Sequence, residues 1–137
     1  MRKAIGLLVN PIAGMGGAVG LSGTDGKLEE ALRRGAVPRA AARAVEALSR
    51  LGGEEIHWYT AAAPMGEDVL AAAGIDRFTV LYRPASPTTA ADTKAACRAF
   101  LDAGVDLILF CGGDGTARDV FDAVGRSVPI LGIPAGV

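Results

Sequence analysis

A single histidine, two cysteines and no excess of either charge set the first limits on this 137-residue chain. With His57 as its one imidazole, it can assemble neither a histidine cluster for zinc hydrolysis nor a Ser-His-Asp set around a nucleophile turn. His57 lies beside Trp58 and Tyr59 and reads as an ordinary strand residue. Cys97 and Cys111 stand 14 positions apart, which is neither the close pairing of a zinc site nor the dense, even pattern of a secreted disulfide scaffold. A reducing, cytoplasmic setting follows, and no resident metal is expected. Lysine and arginine number 14 against 15 aspartates and glutamates, for a net charge of -1. No broad basic field and no local basic patch offers itself to nucleic acid. Residues 4–24 carry no charge, but only residues 5–9 are solidly apolar before Asn10-Pro11 and a run of glycines interrupt them. That is too short for a transmembrane helix and short even for a signal-peptide core, so no membrane partner is expected.

What the chain does have is 50% apolar residues in a length suited to one globular domain. A domain of this size buries roughly two-thirds of its unfolded surface and needs no disulfide or metal to hold its core. It also has 19 glycines, too many for a helical bundle and without the every-third spacing of collagen. They belong in turns and ligand loops.

Residues 4–9 read as a strand buried on both faces, ended at Asn10-Pro11 because proline lacks an N–H and fixes φ. A long glycine loop follows. Residues 38–51 read as an alanine-rich helix with Ala41, Val45, Leu48 and Leu51 on its apolar stripe, stopped by Gly52-Gly53. Strand-like residues 55–59, a short helix over 64–73 closed by Gly74, and a strand over 78–82 come next. Thr89 and Asp92 form a capping-box-like pair at the start of a helix whose stripe is Ala96, Cys97, Phe100 and Leu101 and whose stop is Gly104. Residues 105–110 make the strongest strand signal in the chain. After the Gly112-Gly113-Asp114-Gly115-Thr116 turn comes a helix with Ala117, Val120, Phe121 and Val124 at apolar spacing, then a last strand over 128–133. Nearly all-apolar strands alternating with helices predict a three-layer, Rossmann-like α/β domain with a mostly parallel sheet of about five strands.

In such sheets ligands gather beyond the carboxyl ends of the strands, where loops lead into helix N-termini. Two glycine loops fall there, one running from Asn10 through Gly26 and one from Gly112 through Thr116. Missing Cβ atoms let backbone N–H groups approach phosphate oxygens closely. The common nucleotide fingerprints are absent: Gly14, Gly16 and Gly20 are one residue too widely spaced for the Rossmann pattern. Gly26-Lys27 lacks both the leading glycine of a P-loop and its Ser or Thr, since Leu21 and Leu28 stand there. Two readings of the second loop stand side by side: Thr116 caps a helix while Asp114 fills a turn, or both meet a ligand.

The combination of the Asn10-Pro11 strand end, its glycine loop and the Gly-Gly-Asp-Gly-Thr (GGDGT) strand end resembles the superfamily of NAD kinases and diacylglycerol-type lipid kinases. The sequence is most similar to the NAD kinase family. Gly23-Thr24-Asp25-Gly26, Ala63-Pro64-Met65-Gly66-Glu67-Asp68, Thr88-Thr89 with Asp92-Thr93, residues 112–119 and Gly132-Ile133-Pro134-Ala135-Gly136-Val137 look like its ATP-NAD kinase-like, AcoX-like subgroup. The resemblance spans essentially the whole chain.

It implies an enzyme that uses ATP with Mg2+, or polyphosphate, to phosphorylate the adenosine-ribose 2′-hydroxyl of NAD and give NADP. Asp114 takes the acid-base role by this resemblance, and Gly112, Gly113, Gly115 and Thr116 line the phosphates. Asn10 with Gly14, Gly16 and Gly17 are the next nucleotide contacts. Asp25 either touches substrate or metal or holds a tight turn, and Thr88 and Thr89 are helix caps first and ligand contacts second. Cys111 reads as a small packed hydrophobe. Lipid-kinase relatives continue the motif with Asn-Glu-Val, where this chain has Arg118-Asp119-Val120. That departure counts against a lipid substrate, and a lipid or small-alcohol kinase is kept as the alternative, with a non-catalytic nucleotide-binding module as the third reading. The family also implies a following β-rich domain, so residues 1–137 are expected to be an N-terminal half with little activity alone. An exposed domain junction would favour a homo-oligomer.

Overall fold

The computed structural model describes residues 3–13, 40–51 and 55–135. Five strands, β1 (Lys3–Val9), β2 (Ile56–Ala61), β3 (Phe78–Tyr82), β4 (Leu107–Gly112) and β5 (Ile130–Pro134), form one sheet in the order β3-β2-β1-β4-β5. Every pairing is parallel. The helices between them are α1 (Ala40–Leu48), α2 (Glu67–Ala72), α3 (Ala90–Ala103) and α4 (Asp114–Val124).

Strand alternation explains the two cores. Leu7 and Val9 of β1 join Leu109, Cys111 and Trp58 under α1 and α2, while Leu8 joins Ile108 and Phe110 under α3 and α4. Both faces of the sheet are thus covered, as the nearly unbroken apolar runs required. Phe100 of α3 is fully buried over Gly6 of β1, where a Cβ would come within 2.7 Å of its ring. A glycine inside a strand here marks close side-chain approach.

The predicted elements are all present, with shifted edges. β4 runs through Gly112 because Cys111 pairs with both Val9 and Ile133. Its entry is fixed by Asp106, whose carboxylate accepts the Ala4 N–H (2.9 Å) while its own N–H donates to the Ala4 carbonyl (2.7 Å). α2 starts at Glu67 rather than at Pro64, since the Met65 carbonyl accepts the Val9 N–H and Glu67 reaches back to the Ala63 N–H. The buried stripe of α1 is Ala40, Ala44 and Leu48, one residue off the predicted phase, and Leu51 is exposed. On α4 the sheet-facing row is Thr116, Val120 and Val124, which leaves Phe121 53% exposed. α3 ends at Gly104 in the left-handed region (φ 77°), as expected of a helix stop.

Candidate functional site

All five strands point the same way, so their carboxyl ends lie along one edge, and the chain leaves β1 and β4 in opposite directions within the order. β1 is followed by β2 on one side, and β4 by β5 on the other. This is the topological switch point of an open α/β sheet. Val9 pairs with Cys111 there, which sets Asn10 beside Gly112.

Asn10 ties the two strand ends together. Its backbone N–H donates to the Cys111 carbonyl (2.9 Å), and its side-chain Nδ2 donates to Thr116 Oγ1 (2.9 Å) across 106 residues of sequence. Asn10-Pro11-Ile12-Ala13 closes as a β-turn through the Ala13 N–H and the Asn10 carbonyl (3.1 Å), with proline at the second position it favours. Asn10 Oδ1 accepts the Ile12 N–H (3.2 Å) within the same turn.

On the β4 side the last strand residue is Gly112, and Gly113 is the N-cap of α4 in an extended conformation, with no side chain capping the helix. Thr116 is therefore not the cap; it is the third helical residue, 5% exposed, with its hydroxyl turned to Asn10. Asp114 is the first helical residue and is exposed, with no hydrogen-bond or ion-pair partner among the described residues. Its carboxylate sits where the helix leaves backbone N–H groups free and its dipole is positive. Gly115 follows it in the same turn, also exposed.

Gly112 has a steric reason to be glycine. A Cβ built on it would stand 2.5 Å from both Cβ and Oγ1 of Thr116. Gly112→Ala is expected to push Thr116 off Asn10, costing about 1–3 kcal/mol by overpacking. Thermal denaturation checks the cost, and a changed shift and faster exchange of the Asn10 side-chain amide relative to the native chain check the displacement.

Thr88 and Thr89 precede α3, beyond the end of β3. Both the N–H (2.9 Å) and the hydroxyl (3.3 Å) of Thr89 donate to Asp92 Oδ2, so Thr89 is committed to the helix start. Asp92 Oδ1 accepts the Tyr82 hydroxyl (2.7 Å) and the Ala85 N–H (3.1 Å), which binds the end of β3 to α3. Burial pushes the Asp92 carboxyl up, and the bonds from Tyr82, Thr89 and Ala85 more than offset it, leaving the group below its usual range. The hydrogen bond to Asp92 raises Tyr82, with burial and the Asp92 charge adding to it. Tyr82 was missed in the sequence because nothing local links it to a residue ten positions on.

Cys111 donates its thiol to the Ala40 carbonyl (3.2 Å), and burial pushes it up to about 11. It packs rather than reacts. Cys97 is buried in the opposite core and pushed up to about 12 by burial. His57 Nε2 meets Thr79 Oγ1 (2.8 Å) on neighbouring strands. Gly14, Gly16, Gly17 and Asp25 lie outside the described residues. Among the described residues there is no cluster of three or more metal-ligating side chains, and no helix is long and apolar enough to cross a membrane.

The sequence profile of the ATP-NAD kinase N-terminal domain matches residues 5–137. The chain belongs to this family. No curated protein and no solved structure matches it. Membership gives this ATP-NAD kinase domain an NAD kinase-like role, with NAD and ATP as the substrates of the family in general. Within the domain, the motif read in sequence as Gly112 through Thr116 forms one end of β4 and the first turn of α4, against Asn10.

Proposed function

We propose that this domain supplies the phosphate-binding and acid-base half of an NAD kinase that transfers a phosphoryl group from Mg-ATP, or from polyphosphate, to the adenosine-ribose 2′-hydroxyl of NAD. The observation that carries the reading is the joining of Asn10 to Thr116 at the switch point, which holds Gly112, Gly113 and Asp114 in one place at a helix N-terminus. Family membership over residues 5–137 supports it.

In this reading the free N–H groups at the start of α4 meet the donor phosphates, and the glycines keep side chains out of their path. Asp114 takes the proton of the acceptor hydroxyl as its oxygen bonds to the γ-phosphorus and the bond to the departing ADP oxygen breaks. Transfer of this kind needs alignment and charge stabilisation more than covalent chemistry from the protein, which a glycine turn with one free carboxylate can provide. A cytoplasmic location accords with its two buried free thiols.

Calorimetric titration of the 137-residue chain with Mg-ATP, tripolyphosphate and NAD tests the reading. Binding of a phosphate donor that disappears in Gly113→Val, with the circular dichroism unchanged, is the expected result. Absence of heat with all three ligands would overturn the reading. Donor binding that survives Gly113→Val would move the phosphates away from the α4 turn.

A further inference from the structure

The Asn10 side chain was expected to touch nucleotide, but its two polar ends are already engaged within the protein. Ile12 offers a backbone N–H, which can only donate, so the atom facing it must be the amide oxygen. The NH2 end is thereby turned to Thr116, and the Thr116 oxygen must accept from it. A hydroxyl that accepts at its oxygen still has a proton to give. Among the described residues Thr116 Oγ1 has no acceptor for that proton, although the residue is 95% buried by its 5% exposure.

We propose that Asn10 is a positioning residue that fixes the polarity of its bond with Thr116, so that the hydroxyl keeps its proton for an acceptor oxygen such as that of a phosphate. The inference rests on the phosphate site proposed above and adds to it a positioned hydroxyl donor that does not depend on the glycine backbone. Gly112 belongs to the same device, because its missing Cβ is what lets Thr116 lie close enough to be held. The polarity is set locally, by a turn in which Asn10 bonds to a backbone group two residues on, so it does not depend on what occupies the site.

The test separates polarity from binding. In the 137-residue chain, labelled with 15N, Thr116→Val is expected to shift the Asn10 side-chain amide and speed its exchange, while Thr116→Ser leaves both near their original values. An amide unmoved by Thr116→Val overturns the proposal without any ligand being present. Binding is then measured calorimetrically with tripolyphosphate and Mg-ATP. Thr116→Val is expected to weaken it about 10- to 100-fold, the loss of one hydrogen bond to a charged group.

Asn10→Asp replaces the amide donor by an acceptor that captures the Thr116 proton, and it also adds a negative charge. Introducing it into both the native and the Thr116→Val background cancels the charge effect. The weakening it causes is expected to be about tenfold greater when the hydroxyl is present. Equal weakening in both backgrounds would overturn the proposal. A native chain whose amide responds as described, but which binds neither phosphate probe, would instead remove the proposed function and the donor role with it.

Discussion

Replacing Asp114 by asparagine is expected to lower phosphoryl transfer about 10²- to 10⁴-fold, the range associated with losing a positioned acid-base group. The fold should not register the change. Asp114 is exposed at the first position of α4 and has no partner among the described residues, so an amide of the same shape leaves no donor or acceptor stranded. Its one structural contribution is the interaction of its charge with the helix dipole, worth about 0.3–1 kcal/mol at an exposed site. Donor binding is expected to stay level or tighten, since a negative charge beside the phosphates is removed. NADP formation, coupled to an NADP-specific dehydrogenase, is the measurement, made in the 137-residue chain and in the longest polypeptide its reading frame encodes. Unchanged turnover in an active protein would take the acid-base role away from Asp114. A fall in donor affinity with turnover per bound donor preserved would make it a binding residue instead.

Much of this arrangement was legible in the sequence, and the remainder was not because it depends on residues far apart in the chain. β1 and β4 were readable because both are continuous apolar runs ended by residues that cannot extend a buried ladder comfortably, Asn10-Pro11 and Gly112-Gly113. Their being neighbours was not readable. The order β3-β2-β1-β4-β5 pairs residues about a hundred positions apart, and only pairing makes Asn10 and Thr116 partners. Thr116 read either as a helix cap or as a ligand contact by its type and position, yet the sequence could not show that Gly112 leaves space for it beside Asn10. Helix phase failed where apolar residues surround the axis: α1 has alanine at five of its nine positions, so the sheet chose Ala40, Ala44 and Leu48 from several equivalent rows. Phe121 failed for the opposite reason. The row set by Thr116, Val120 and Val124 already fills the face toward the sheet, and the large side chain beside it remains outside.

The largest loss of stability is expected at Asp92, a carboxylate that is 4% exposed and accepts four hydrogen bonds. Asp92→Ala removes the acceptor for the Tyr82 hydroxyl, the Ala85 N–H and both donors of Thr89 at once. Loss of the helix-start interaction and of these buried acceptors is expected to cost about 3 kcal/mol, or roughly 10 °C in Tm. The pH profile identifies the cause. Because the folded protein holds this carboxyl below its ordinary value of 3.8, the unfolded chain takes up the proton more readily. The stabilisation is complete above 3.8 and is lost as pH falls through the lower folded value. Tyr82 behaves in the opposite sense. Its hydroxyl is raised above 10.0 by donating to Asp92, so its contribution is complete below 10.0 and is lost as pH rises through the folded value. Urea denaturation at intervals across both ranges should therefore show Asp92→Asn losing the acid-limb difference from the native chain, and Tyr82→Phe losing the alkaline one. Acid and alkaline limbs unchanged in both variants would mean that the joint between β3 and α3 is held by apolar packing alone.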